Sequence, residues 1–459
     1  MLRTKLLFAG LMTLILTGCG VVQLINAPGE REEESDYGAI LETFSELHGI
    51  GASALAIMKD GNVVYEGVSG FMDAGRNTPI TPSVMMRVAG VSVPITAAAV
   101  RQLVADGLLE LDARAFDLGQ PEGGLLTLQP FPALGDSRLM NITVEHLLLD
   151  QAGWDEDSTA DWTFREIKIA EAMSVSSPPG RENTVRYVLG QPLQFDPGSK
   201  TVISNVGYLV LGLIIEKVSE QDYLTYVREN IFAPLGISAE DVIQARTFPE
   251  DRSAREPWYD APGLSRNVFD PWGPPVRPPD GGSDIEAKLS QAGLVTTTRA
   301  LLEFADEYVL WGENVGRQRN SRERSGWWGW FAGSLSGTNS LVYQSGEGIN
   351  YAVLFNRRAI TNDQLFYVKL FMGILNTRLI LPSPVSHSSM YGDASTGMYL
   401  AKSEIQKPRV LEAEPARVLG FLQPVCTVKF EERGLLRHNP STPIRSTLFP
   451  GQHAAANTE

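Results

Sequence analysis

The segment at residues 88–100, VAGVSVPITAAAV, places a serine at the start of a helix whose small and apolar residues predict deep burial. A serine hydroxyl becomes a nucleophile when a neighbouring base takes its proton, and a lysine three residues later lies on the same helical face. Ser92 is instead followed at that spacing by Ile95. We therefore interpret Ser92 as an ordinary first-turn serine, with a displaced nucleophile as the alternative.

Other side chains that could take part in catalysis or metal binding do not form a pattern typical of a site. Neither Ser-x-x-Lys nor Gly-x-Ser-x-Gly occurs in the 459 residues. The histidines show no metal-ligand or Ser-His-Asp spacing, and they are His48, His146, His387, His438 and His453. The sequence therefore predicts no cofactor and no metal, and His146 is expected to be a packed helix residue.

Two clusters have both a plain and a functional interpretation. One is acidic and consists of Asp150, Asp155, Glu156 and Asp157. It could bind a cation, but a solvated acidic loop is the preferred interpretation. The other is aromatic and consists of Trp327, Trp328 and Trp330. Its alternation along a predicted strand favours core and cleft wall over a ligand platform.

Composition and charge restrict the class of protein. Hydrophobic residues make up 43% of the chain and charged residues 20%, as in ordinary globular proteins. The formal net charge is −15, and no run of Lys and Arg provides the positive footprint that nucleic acid requires. Nucleic-acid binding is therefore excluded as the main function.

The first 19 residues have the features of an export signal. Two basic residues precede an apolar run that is too short for a mature membrane anchor, and the LTGC that ends at Cys19 resembles the bacterial lipoprotein box. The resemblance implies that Cys19 carries acyl chains. We therefore predict a bacterial protein that is exported and lipid-anchored in the cell membrane or outer membrane, with a plain signal peptide as the alternative. The acidic residues 20–35 would form a tether.

The order of the predicted elements indicates one sheet assembled from both ends of the chain. A helix near residues 40–47 and a hairpin around Asp60-Gly61 precede the buried helix, which is expected to end near Ala105. Three strands and a helix are predicted between residues 327 and 377. The segment between these parts, about 112–290, is mostly helical or irregular. The predicted fold class is α/β (α+β), an antiparallel sheet flanked by helices plus a helical lobe, followed by a Ser/Pro-rich, largely disordered tail at 381–459.

Several segments together resemble the beta-lactamase-related serine hydrolases, which include class C beta-lactamases, penicillin-binding carboxypeptidases and related esterases. The matching segments are TPSVMMRVAGVSVPITAAAVRQLVADGLLELD, ITVEHLLLDQAGWD, PLQFDPGSKTVISNVGYLVLGLIIEKVS, FAPLGI and WFAGSLSGTNSLVYQ with YAVLFNRR. They stand in family order over residues 36–380. The resemblance implies a beta-lactamase/transpeptidase-like fold, which does not by itself imply activity.

The family's catalytic side chains are absent at the positions that match its motifs. In place of the Ser-x-x-Lys pair the chain has Gly90 and Val93, and in place of the motif tyrosine it has Ile203. The lysine or histidine of the third motif is replaced by Phe331. Loss of the nucleophile alone costs roughly 10⁶-fold in turnover, so the resemblance predicts a catalytically inactive member. We expect Val93, Ile203 and Phe331 to pack together, because apolar groups can replace a whole polar network.

Binding can outlast the loss of catalysis, because the family's oxyanion hole consists of backbone N–H groups. The candidates for ligand binding are Gly90, Asn205, Gly333 and Ser334. A peptidoglycan-like molecule, a small carboxylate or a protein partner would occupy the cleft. Two alternatives remain open: an active serine hydrolase that uses other residues, and a purely structural or interaction protein whose cleft is filled.

Overall fold

The computed structural model describes residues 33–156, 158–319, 329–361 and 363–379. The predicted signal peptide with Cys19 and the predicted tail at 381–459 lie outside these ranges. So do Asp157, Trp327, Trp328 and the last three histidines. The first helix begins at Glu33, within the segment predicted as a tether. No helix within the described ranges is both long enough and apolar enough to cross a membrane.

A five-stranded antiparallel sheet forms the centre of the fold. In the described ranges the strands are β1 (Ala52–Lys59), β2 (Asn62–Gly70), β3 (Met86–Arg87), β4 (Val242–Gln244), β5 (Leu294–Thr296), β6 (Gly329–Leu335), β7 (Thr338–Gln344) and β8 (Ile349–Phe355). The large sheet has the order β2-β1-β8-β7-β6, and β3-β5-β4 form a small second sheet. Pairing of Ser53 with Phe355 joins the two ends of the domain, as the sequence predicts.

The helices lie on both faces of the large sheet and in a lobe between its two halves. They are α1 (Glu33–His48), α2 (Ser92–Ala105), α3 (Val144–Leu148), α4 (Glu166–Met173), α5 (Gly180–Leu189), α6 (Asn205–Ser219), α7 (Tyr223–Val227), α8 (Thr298–Glu307) and α9 (Phe366–Arg378). The predicted first hairpin is confirmed: Asp60 and Gly61 both have positive φ, as a two-residue turn requires. The predicted end of the buried helix at Ala105 is also confirmed.

Alternate residues of β1 enter two different cores. Leu55 and Ile57 join the cluster that includes Leu41 of α1 and Phe371 of α9. Ala54 and Ala56 face the larger cluster of α2, α6 and α8. Because side chains alternate along a strand, burial on both faces requires the nearly continuous apolar run that β1 has.

The β6 strand contacts the start of α2 through backbone atoms. A Cβ added at Gly333 would lie 2.4 Å from the Val88 carbonyl oxygen and 2.5 Å from the Gly90 nitrogen. The Ser340 hydroxyl on β7 donates to the same Val88 oxygen at 2.5 Å. Only glycine permits this approach at position 333, so the strand and the turn before α2 are fixed against each other.

A methyl group at position 333 tests how much stability depends on this contact. We expect Gly333→Ala to lower the free energy of unfolding by roughly 2–3 kcal/mol, because the methyl meets backbone that cannot move aside easily. Urea unfolding at pH 7 measures the change. Gly373→Ala in α9 is the matched control, since a Cβ there meets no atom within 4 Å, and it should leave stability unchanged or slightly higher. Equal stability of the two variants would contradict the contact.

Candidate functional site

The turn that begins α2 keeps an unusual backbone around Gly90. Ala89, immediately before it, has a φ of 47°, in the left-handed region that non-glycine residues seldom adopt. The Val91 N–H donates to Val88 O at 3.1 Å, and the Val88 N–H donates to Leu294 O at 2.9 Å. A Cβ at position 90 would lie 3.0 Å from the Ala332 carbonyl oxygen. The backbone at Gly90 is therefore held tightly although the residue has no side chain.

Ser92 is a structural serine. It is fully buried, and its hydroxyl accepts the N–H of Leu294 at 3.3 Å. The structure therefore supports the interpretation of Ser92 as an ordinary first-turn serine that joins α2 to β5. A role as a displaced nucleophile would require an exposed hydroxyl with a nearby base, and Ser92 is not exposed.

The three apolar residues at the motif positions do not form the sealed cluster that we expected. Val93 is half-buried and packs against the larger core. Phe331 is also half-buried, and its ring lies 3.8 Å from the point where a Gly90 Cβ would be. Ile203 is 37% exposed, too much for the centre of a packed core. The expectation of tight packing is therefore wrong for Ile203.

Asn205 is the first residue of α6 and is held by two carboxyl groups. Its Nδ2 donates to Asp161 Oδ2 at 2.8 Å and to Glu156 Oε2 at 3.4 Å. Its backbone N–H donates to Glu156 Oε1 at 2.6 Å. The preceding residue, Ser204, is buried and accepts the Gly207 N–H as the helix cap. The side-chain donor that we assigned to a ligand is thus directed at protein carboxyl groups.

The Ser334 side chain likewise has a partner within the protein. Its hydroxyl donates to the carbonyl oxygen of Gln364 at 3.2 Å, and Asn339 Nδ2 donates to the same oxygen at 2.8 Å. These bonds attach the β6–β7 hairpin to the segment before α9. Among the binding candidates, the backbone groups of Gly90, Gly333 and Ser334 therefore suit a ligand better than the side chains of Ser334 or Asn205 do.

The acidic segment is not the solvated loop that we expected. Asp150 is 6% exposed and Asp155 is 8% exposed. Asp155 pairs with Lys200 at 3.0 Å, and Asp150 Oδ1 accepts the Ser204 N–H at 3.1 Å. The carboxyl groups instead secure the segment that leads into α6. In the described ranges no group of three or more His, Cys, Asp or Glu side chains could hold a metal ion.

Burial changes the protonation of this segment. It raises the pKa of Asp150 to about 8, although the Ser204 N–H partly opposes the shift. Burial also raises the pKa of Glu156 well above its usual range, and the neighbouring Asp161 charge raises it further. A carboxyl group buried without a cation is more stable when neutral. The protonated forms of Asp150 and Glu156 therefore persist to higher pH than those of carboxyl groups in water.

Asp161 was missed by the sequence reasoning. The signal was the continuation of acidic residues beyond position 157, in a segment that also contains the buried Trp154. Spacing alone does not show that Asp161 contacts the start of α6, because that contact spans 44 residues.

The histidine prediction is confirmed for His146, whose Nδ1 accepts the Thr143 N–H and caps α3. Trp330 packs against the α1–α9 core, as predicted.

Two positions at the start of α2 carry no side-chain group that can act in acyl transfer. Gly90 has no hydroxyl, and Val93, three residues later in α2, has no amine. The carboxyl groups beside Asn205 are bonded to the first turn of α6. The remaining chemical capacity at Gly90 is hydrogen bonding by a rigid backbone.

The pH dependence of stability tests the protonation of Asp150. With a pKa of about 8 in the folded state, Asp150 keeps a proton that the unfolded state loses above about pH 4. The free energy of unfolding therefore falls as pH rises from about 4 towards 8. Asp150→Asn removes this loss and can still accept the Ser204 N–H. We expect the advantage of the variant over the wild type in urea unfolding to grow by roughly 3–4 kcal/mol between pH 5 and pH 8, because each pH unit in this window is worth about 1.4 kcal/mol.

Asp136→Asn is the control for this measurement. Its hydrogen bond from Arg138 lowers the pKa of Asp136 to about 2, so the carboxylate is ionised at both pH 5 and pH 8. Its substitution should cost stability equally at the two values. Identical pH profiles for the wild type and Asp150→Asn would contradict a raised pKa at Asp150.

Comparison with known proteins agrees with this architecture. Penicillin-binding protein 4* of Bacillus subtilis is 26% identical over 219 residues, which cover 46% of this chain and 42% of that protein. The protein flp of Staphylococcus aureus (strain COL) is 22% identical over 361 residues, which cover 76% of this chain and 67% of that protein. The chain thus spans less than half of the first relative.

Two solved structures share the fold at low sequence identity. The D-amino acid amidase from Ochrobactrum anthropi SV3 has a TM-score of 0.53 and 19% identity, covering 75% of this chain and 97% of the amidase. The octameric penicillin-binding protein homologue from Pyrococcus abyssi has a TM-score of 0.51 and 20% identity, covering 77% and 78%. The beta-lactamase family model matches residues 39–380, most of the chain and nearly all of its described part, and the chain therefore belongs to the beta-lactamase family.

Proposed function

We propose that this chain is a non-hydrolytic member of the beta-lactamase family that binds a ligand through backbone groups in the cell envelope. Gly90 carries the proposal, because the resemblance of the surrounding motif matches it to the family's nucleophile and it has no hydroxyl. Val93, Ile203 and Phe331 extend the loss to the groups that would move protons. Hydrolysis by the family mechanism is then negligible.

The strained turn supports a role for the backbone. A non-glycine residue at positive φ costs about 1 kcal/mol or more and persists where the surrounding structure enforces it. Ala89 keeps this conformation at 47° beside a residue that no longer needs to present a side chain. A carboxylate or carbonyl oxygen of a peptidoglycan-like or small ligand would accept hydrogen bonds from the N–H groups of Gly90 and Ser334.

Attachment to a membrane through lipidated Cys19 remains part of the proposal. It is supported by the basic start, the apolar run and the LTGC ending of the first 19 residues. A protein partner in the envelope is the alternative occupant of the cleft. The two other hypotheses, an active hydrolase and a purely structural protein, give different results in the experiments below.

Covalent labelling separates inactivity from unrecognised activity. We expect neither a fluorescent penicillin nor a fluorophosphonate to label the wild-type chain, because Gly90 offers no hydroxyl and Ser92, the nearest serine in α2, is buried. The comparison is a variant with Gly90→Ser, Val93→Lys, Ile203→Tyr and Phe331→His, examined by gel fluorescence after a check of folding by circular dichroism. Ser92→Ala is the control. Labelling of the wild type that disappears in Ser92→Ala would favour the active-hydrolase hypothesis and overturn the proposal.

Non-covalent binding separates a ligand site from a filled cleft. We expect intact penicillin G, a carboxylate with a polar carbonyl, to bind the wild type reversibly in isothermal titration calorimetry. Gly90→Ala should weaken binding by roughly 10-fold, since its methyl would crowd the approach to the N–H groups, and one hydrogen bond to a charged group is worth about 1.5 kcal/mol or more. Ser92→Ala should bind normally. Equal affinity of Gly90→Ala and the wild type would place binding elsewhere, and no binding would favour the structural hypothesis.

A further inference from the structure

A groove lies between α1 and the turn that follows β2, away from Gly90. It has a volume of about 900 Å³ and is lined by Glu42 and Glu46 of α1, by Phe71 and Arg76 of the turn, and by Trp258. Ligand sites commonly have volumes of 300–1,000 Å³. None of the residues at the α2 site lines this cavity, so the groove is a separate surface.

The acidic side of the groove has carboxylates that make no ion pair within the described residues. Glu42 and Glu46 are exposed and stand one helical turn apart on α1, where like charges destabilise a helix by a few tenths of a kcal/mol. Within the ranges that the structure describes, neither carboxylate has an ion-pair partner. Both are therefore available to a cationic group of a ligand.

A positive charge lines the same groove without neutralising them. The guanidinium of Arg76 lies over the Phe71 ring at 4.9 Å from its centre, and no ion pair to Arg76 occurs among the described residues. Asp73 also lines the groove and stays ionised, because the N–H groups of Thr78 and Asn77 donate to its carboxylate and lower its pKa. The groove thus presents free charges of both signs that do not pair with each other.

The remaining acid and the aromatic wall are fixed by the fold. Asp260 pairs with Arg357 at 2.8 Å. The backbone N–H of Trp258 donates to Met72 O at 2.9 Å, and the backbone oxygen of Trp258 accepts a hydrogen bond from Asn356 Nδ2 at 2.9 Å. A Cβ at Gly51 would lie 2.9 Å from the indole ring. The wall at Trp258 is therefore preformed and can contact apolar parts of a ligand.

We propose that this groove binds a short peptide with free termini, whose ammonium lies against Glu42 and Glu46 and whose carboxylate lies against Arg76. A ligand that carries both charges can pair with the glutamates and with Arg76 at the same time. A simple cation or anion pairs with one side of the groove and is repelled by the other. The volume accommodates several residues. Exposed residues supply the charges, so the peptide could enter without opening the core.

Calorimetry with four-residue peptides tests the proposal on the full-length chain. Tetra-alanine should bind at millimolar concentration or below, whereas N-acetyl-tetra-alanine and tetra-alanine amide should each bind roughly 10-fold more weakly, because each lacks one charged contact. The Glu42→Gln, Glu46→Gln double variant should lose the difference between free and acetylated peptide. Arg76→Gln should lose the difference between free and amidated peptide.

The controls separate this groove from the α2 site and from general charge effects. Glu171→Gln removes an exposed carboxylate on α4 and should bind tetra-alanine as the wild type does. Phe331→Ala changes the α2 site and should also leave this binding intact, so failure here is distinguishable from failure of the proposed function. All groove substitutions are at exposed positions, and thermal melts verify folding. No binding of the free peptide, or equal binding of the three peptides, would refute the proposal.

Discussion

The backbone contact between β6 and the turn before α2 is the constraint on which the rest of the structure depends. Gly333 leaves room for the Val88 and Gly90 backbone to approach, and Ser340 fixes the same turn from β7. Because β6 pairs with β7 and β7 with β8, the position of α2 is transmitted to the whole sheet. This contact involves no side chain at position 90. A residue there can lose its hydroxyl while the turn keeps its shape.

The carboxyl groups of the lobe show that a neighbouring cation decides whether a buried carboxyl group is ionised. Burial opposes ionisation of Glu166, yet Lys288 at 2.6 Å outweighs it and holds the pKa of Glu166 below its usual value. Burial raises the pKa of Glu156, and the neighbouring Asp161 charge raises it further, although N–H groups of α6 oppose the shift. A buried carboxyl group is charged where a cation compensates it and neutral where none does. The start of α6 is therefore held by hydrogen bonds more than by charge.

Much of the fold could be predicted from the sequence. The contribution of Gly333 to stability and the pH response of Asp150 could not, because both depend on contacts between distant parts of the chain. The alternation in β1 and the Asp60-Gly61 turn are local signals, so strand and turn were predicted correctly. Asp150 looked like part of a solvated loop because its partner, Ser204, is 54 residues away. Burial of a charged residue depends on contacts that local periodicity does not encode.

The candidate site shows the same division between local and long-range information. The residue types at Gly90 and Phe331 are read directly from the sequence, whereas the 3.8 Å approach of the Phe331 ring to position 90 requires the sheet. The expected packing failed at Ile203, which remains 37% exposed. A single apolar side chain with that exposure is ordinary at a protein surface. The exposure of Ile203 depends on how the lobe and the sheet meet around this position, which local sequence does not encode.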